Sequence, residues 1–215
     1  MALAPIEEAI KRIRRGEMVL VVDDEDRENE GDLTMAASWV NGDSINFMLR
    51  WARGLVCMPF CGEHLAHLDL RPMVPPDEAG CDTAFTVSID HLSAGSGIGA
   101  ADRALTIQRA LDVGARPGEF RRPGHVFPLR ARPGGVLERR GHTETAVDLT
   151  RLAGLPPVAV ICEVLHDDGS PARYPYLEMF ATEHRIAMIS VEQVAEYRLQ
   201  LAEVADERSP APLLL

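Results

Sequence analysis

The sequence predicts a mixed β-sheet covered by helices, an α/β (α+β) fold in a single domain. Short apolar runs of strand length, Met18–Val22, Leu55–Phe60 and Pro157–Leu165, alternate with stretches of helical period. Turn and capping residues separate them, and no repeat or linker divides the chain. At 215 residues, 46% hydrophobic and 26% charged, the chain can bury one sizeable core. The domain is expected over 1–207, with 208–215 as a C-terminal tail.

The elements follow in order. Pro5 to Arg15 reads as a helix: Ile6, Ala9, Ile10 and Ile13 share a face, Pro5 suits the first turn and Gly16 the stop. Met18–Val22 is a buried strand, and another is expected around Leu33–Ala36. After the Asn41-Gly42 turn, Asp43 or Ser44 is expected to cap a helix carrying Ile45, Met48, Leu49 and Ala52, ended by Gly54. Leu55–Phe60 is a strand. Thr83–Ile89 alternates, which predicts a strand with Phe85, Val87 and Ile89 on one face. A helix is expected near Asp102–Leu111, a loop over 115–124 and a strand over Val126–Ala131. Thr143 is a candidate cap for a helix over Ala146, Leu149 and Leu152. Pro157–Leu165 is the most apolar strand. A helix near Tyr176–His184, a strand Ile186–Ser190 and a helix Val191–Glu207 complete the chain.

Charge and composition exclude several functions. A net charge of −11 disfavours nucleic acid and anionic membranes as partners. Lys11 is the only lysine, so no lysine remains for a P-loop or a Schiff base. The cysteines Cys57, Cys61, Cys81 and Cys162 form no Cys-x-x-Cys pair and are expected as free thiols in a reducing cytosol. No stretch reads as a membrane span or a signal peptide, so a cytoplasmic protein is expected.

The chemistry concentrates in four places. Asp23-Asp24-Glu25-Asp26-Arg27-Glu28-Asn29-Glu30-Gly31-Asp32 directly follows a buried strand. Carboxylates this dense repel one another, so the run is either a solvated acidic loop or one that a bound cation relieves. A calcium hand is disfavoured because its twelfth position would be Ala37; a magnesium or manganese site using one or two carboxylates fits better. Arg27 either pairs with these acids or contacts an anionic substrate. His125 and His142 each follow a glycine and are flanked by arginines, a setting that favours neutral imidazole and suits a ligand or a base. Glu163 shares a strand face with Ala159 and Ile161 and either enters a desolvated site or points to water at the strand end. Gly95 to Ala100 fits a weak dinucleotide fingerprint, too far from the preceding strand for a Rossmann turn, though such a loop before a helix can hold a phosphate. His64, His67, His91, His166 and His184 read as structural or exposed. Metal, phosphate, histidine and buried glutamate together form a proton-transfer set for a phosphorylated carbonyl compound.

Four segments then resemble a known family. The acidic run above, Arg122-Pro123-Gly124-His125-Val126-Phe127-Pro128-Leu129, Arg139-Arg140-Gly141-His142-Thr143-Glu144 and Cys162-Glu163 occur in the order and spacing of the 3,4-dihydroxy-2-butanone 4-phosphate synthases. The resemblance covers roughly residues 5–200. It implies a lyase of riboflavin biosynthesis that converts D-ribulose 5-phosphate to 3,4-dihydroxy-2-butanone 4-phosphate and formate. It implies two Mg²⁺ or Mn²⁺ ions per subunit and a homodimer with sites near the interface; the GTP cyclohydrolase II domain that many relatives carry is not expected in this chain. By motif position, Glu28 and His142 are implied as metal ligands. Arg27, Glu28, Asp32, Arg139, Arg140, Gly141, His142, Thr143 and Glu163 are implied as substrate contacts, and His125 and Glu163 as the catalytic pair. The glycine-rich loop departs from the family pattern at Ser96 and Gly99. The alternative is another metal-dependent sugar-phosphate isomerase or aldolase.

Overall fold

The computed structural model describes residues 3–207 apart from Cys81; the expected tail 208–215 lies outside the described residues. A seven-stranded mixed sheet forms the centre. Its strands are β1 (Val19–Val22), β2 (Gly31–Ala36), β3 (Cys57–Phe60), β4 (Ile89–His91), β5 (Phe120–Arg130), β6 (Ala159–Glu163) and β7 (Ala187–Ser190), in the spatial order β4-β5-β3-β6-β2-β1-β7. β1 runs parallel to β7 and β3 parallel to β5; the other neighbours are antiparallel. The order brings β2 and β6 together with Asp32 opposite Glu163. Two acids distant in sequence thus meet at one end of the sheet.

Helices cover both faces. Alternation along β1 sends Leu20 and Val22 into one core, with Ile45, Met48, Ile107 and Leu177, and Val19 and Val21 into the other. The first core is closed by α2 (Gly42–Phe47), α3 (Gly62–His67), α4 (Ala100–Ala110) and α6 (Tyr174–His184). The second lies under α1 (Ile6–Arg14), α5 (His142–Leu152) and α7 (Val191–Glu207). In α1 the expected face is the buried one, through Ala9, Ile10 and Ile13.

Helix α5 is buried on every side from His142 to Thr150, although six of those nine residues are polar or charged. Such side chains are tolerated inside only when bonded. Glu144 accepts from the backbone N–H of Arg132 (3.0 Å) and from Arg139 (2.7 Å). Asp148 accepts from the Val136 N–H (2.8 Å) and from Arg198 (2.7 Å). These carboxylates anchor the segment 131–141 and so fix the start of α5.

The structure corrects several local expectations. β2 begins at Gly31, so Asp32 belongs to a strand and not to the acidic loop. Asn41, not Asp43 or Ser44, caps α2, its side chain accepting from the Ser44 N–H in a reciprocal box. That helix continues as a π-turn over Met48–Ala52 and ends on Arg53 in the left-handed region, ahead of Gly54. The expected strand over Thr83–Ile89 is broken: Thr86 and Ser88 are buried while Phe85 and Val87 are partly exposed, because only isolated bridges form before β4. β5 begins at Phe120, within the expected loop 115–124, because Phe120 and Arg121 pair with β4 and a register shift absorbs Pro123-Gly124. Gly141 precedes α5, and Thr143 lies inside the helix, so Thr143 is not its cap.

Candidate active site

The acidic stretch is an organised turn. Asp23 is its internal anchor: Oδ1 accepts from the Glu30 N–H (2.8 Å), and Oδ2 from the Glu28 N–H (3.1 Å) and Arg27 Nη1 (2.6 Å). Arg27 also bonds Glu28 (2.8 Å), so its ion-pair reading is realised. Arg173 donates to the backbone carbonyls of Glu28 and Asn29 (2.5 and 2.6 Å), tying the turn to the start of α6. Asn29 takes a left-handed φ of 52°, which reverses the chain and returns it to β2.

Opposite this turn stands His142, buried at the first position of α5, with Nδ1 3.6 Å from Glu28 Oε2. Asp23, Glu28 and His142 each offer a ligand atom within 4.8 Å of the others. The electrostatics reverse the expectation of a neutral imidazole. Burial lowers the His142 pKa, but Asp32 first, then Glu28 and Asp23, outweigh it and push it up to about 9. The close approach of His142, 3.6 Å away, lowers Glu28 to about 2, against burial and with help from Arg27. Burial raises Asp32 to about 7, His142 opposing and Glu163, Glu28 and Glu30 adding. Burial, then Glu28, raises Glu30. Acids, not the neighbouring arginines, set the field at His142.

Glu28, Glu30, Asp32 and His142 line a cavity of about 140 Å³ with Arg27, Cys57, Thr83, Phe85, Leu129, Arg139, Thr143, Ile161 and Glu163. Glu163 points inward from the end of β6, and its Oε2 accepts from the Leu55 N–H (2.8 Å). A side chain at Gly54 would place Cβ 2.4 Å from the Glu163 carbonyl oxygen and 2.6 Å from Oε2, so only glycine fits there. Arg139 is steered into the cavity wall by Glu144 (2.7 Å). The N-terminal end of α5 opens beside it with no side-chain cap among the described residues. A helix start next to an arginine is a natural phosphate seat.

Not every predicted residue arrives. Arg140 turns away to pair with Glu192 on α7 and does not line the cavity. Gly141 shapes the entry to α5 without lining it. His125 also lies outside the lining. It is held by Asp90, whose Oδ1 accepts from the His125 N–H (2.9 Å) and whose Oδ2 meets Nδ1 (2.7 Å). In the glycine-rich loop, Asp102 takes the Gly95 and Gly97 N–H groups (3.0 Å each). His64 bonds the Ala110 carbonyl, and His184 stacks among Phe47, Trp51 and Phe180, both structural roles. The sequence reading missed Asp23 and Glu30 as individual members, and also Cys57, Thr83, Phe85 and Asp90. Only the acidic run signalled the first two. The others arrive through pairings of distant strands.

Residues 7–197 match the family model of 3,4-dihydroxy-2-butanone 4-phosphate synthase. The chain belongs to this family. A 3,4-dihydroxy-2-butanone 4-phosphate synthase of Agrobacterium fabrum is 52% identical, covering 92% of this chain and 93% of the relative. The riboflavin biosynthesis protein RibBA of Aquifex aeolicus is 53% identical over 96% of this chain, which spans only 53% of that longer relative. Among solved structures, a synthase of this family in complex with two magnesium ions superposes with a TM-score of 0.86 at 40% identity, covering 92% of this chain and 97% of the other. The two-domain synthase RibBX of A. baumannii gives 0.87 at 46% identity, covering 91% and 58%. The expected helix-covered mixed sheet is therefore the fold of this enzyme family.

The residues present suit a divalent ion. Hard carboxylate oxygens and one imidazole are the donors such ions take. Asp32 Oδ1 and His142 Nε2 are buried without a hydrogen-bond partner among the described residues, the polar surplus that a cation with its water shell satisfies. Among the described residues, no helix is long and apolar enough to cross a membrane.

Proposed function

We propose that this chain is a 3,4-dihydroxy-2-butanone 4-phosphate synthase, a carbon–carbon lyase of riboflavin biosynthesis. It converts D-ribulose 5-phosphate to 3,4-dihydroxy-2-butanone 4-phosphate and formate. The observation that carries this reading is the single cavity joining Glu28, Asp32, His142 and Glu163 in a member of the family. The catalytic unit is one domain over 1–207, acting in the cytoplasm on a small phosphorylated sugar, without nucleic acid or membrane.

Glu28 and His142 would hold the metal, Mg²⁺ or Mn²⁺, two ions per subunit. When bound, these ions supply Lewis-acid stabilisation of a developing enediolate. Asp32 and Arg27 face the same space and orient substrate hydroxyls. Arg139, with the start of α5 from Gly141 to Thr143, receives the phosphate; Arg140 contributes positive field from outside. Glu163 moves a proton at the substrate carbons, and His125 positions or shuttles a second. Cys57, Phe85, Leu129 and Ile161 wall the site and limit water.

Ribulose 5-phosphate with Mg²⁺ is expected to release one formate per turnover, and a chelator is expected to abolish the release. Folded, metal-loaded protein that yields no formate, or a different product such as an isomerised sugar, would overturn the assignment.

The chain acts as a homodimer in this reading. His125 is outside its own cavity and 40% exposed at the side chain, so it is available to complete the cavity of a second copy. Mixing inactive His125→Gln and Glu163→Gln proteins, unfolded and refolded together, should then restore about a quarter of wild-type activity, since half the dimers carry one intact site. A mixture as inactive as its parts would rule out sharing.

A further inference from the structure

We infer that Asp90 is the positioning residue for His125, and that the glycine-rich loop at 95–99 is the cover that holds this carboxylate in place. The inference rests on the catalytic reading of His125. Asp90 lies on β4, nearly fully buried, and spends both oxygens on one residue: Oδ1 on the His125 backbone N–H and Oδ2 on Nδ1. A carboxylate only accepts, so the ring must carry its hydrogen on Nδ1. Nε2 is then left with its lone pair, on a side chain that is 40% exposed. A base or proton shuttle needs that tautomer.

The loop explains why the carboxylate stays. Gly97 sits at φ +89° directly over Asp90, and a Cβ there would be 2.0 Å from Asp90 Oδ2. Asp102 pins the loop through the Gly95 and Gly97 N–H groups, and Arg121 bonds the Ala94 and Gly95 carbonyls. The Gly-x-Gly pattern thus serves close backbone approach to a buried acid and not the cradling of a nucleotide.

Asp90→Asn tests this through geometry. Its carbonyl stays on the His125 N–H, so its NH₂ must face Nδ1. The ring is driven to the Nε2–H tautomer. Proton–nitrogen correlation spectra of ¹⁵N-histidine-labelled protein above neutral pH should show His125 as Nδ1–H in the wild type and as Nε2–H in D90N. Turnover should fall about 100-fold, the low end of what a positioned acid or base contributes, with KM within about twofold. In a His125→Gln background the same change should cost nothing further. Gly97→Ala, which displaces the carboxylate without altering it, should reproduce the turnover loss. An Nε2–H tautomer in the wild type, or wild-type turnover in D90N while H125Q is crippled, overturns the inference. Wild-type turnover in H125Q overturns instead the role on which it rests.

Discussion

Glu163→Gln is expected to lower formate release about 10⁴-fold, the upper end of the range for a positioned general acid or base. The residue ends β6, opposite Asp32 across the β2–β6 ladder, and faces the cavity through one oxygen while the other side of its environment is built. Glu163 Oε2 accepts from the Leu55 N–H, and Gly54 leaves no spare volume around it. Glutamine keeps the shape and can keep that bond through its carbonyl oxygen. Its remaining atoms then present an amide where a proton-exchanging oxygen stood. The variant should fold, with a thermal midpoint moved by no more than about 2 °C. It should bind substrate normally, because the lost function is proton transfer and not uniform binding. Formate release within tenfold of wild type would show that Glu163 only supports the Leu55 turn.

The contrast between Glu163 and His125 shows how far the sequence could be read. Glu163 was half legible: a carboxylate at the end of an apolar strand, on the face of Ala159 and Ile161, enters a site or points to water, and the structure turns it into the cavity. Helix α1 was legible because one helical period decides it, and β1 because its apolar run is unbroken. β5 was half missed because Pro123-Gly124 carries a turn signal locally, and only pairing with β4 makes it a strand. The alternation at Thr83–Ile89 misled in the opposite direction. The Asp90–His125 pair was invisible, since nothing in either segment specifies the other. The meeting of Glu28 with His142 was available only through resemblance. Periodicity places elements, but the register of distant strands places side chains.

That meeting has a measurable consequence. In the metal-free protein the His142 pKa is raised to about 9 from an ordinary 6.5, because Asp32, Glu28 and Asp23 together outweigh burial. The sign follows directly. A raised folded-state pKa lends stability that is complete below about 6.5 and is lost as pH climbs through about 9. Between those limits the imidazolium serves as the cation of its own acidic site. A divalent ion needs the neutral ring, so it must displace that proton. Binding of Mg²⁺ or Mn²⁺ near pH 7.5 is therefore expected to release about one proton, and affinity should rise about tenfold per pH unit before levelling near pH 9. The same carboxylates that hold the proton attract the ion. His142→Asn should abolish the proton release. It should also weaken binding by more than the 10- to 100-fold that loss of a residue merely supporting a ligand costs. Calorimetry in buffers of different ionisation enthalpy measures both. Equal proton release in the variant and the wild type, or an affinity that does not change between pH 7 and 8, would move the ion away from His142 and leave the acidic turn to hold it alone.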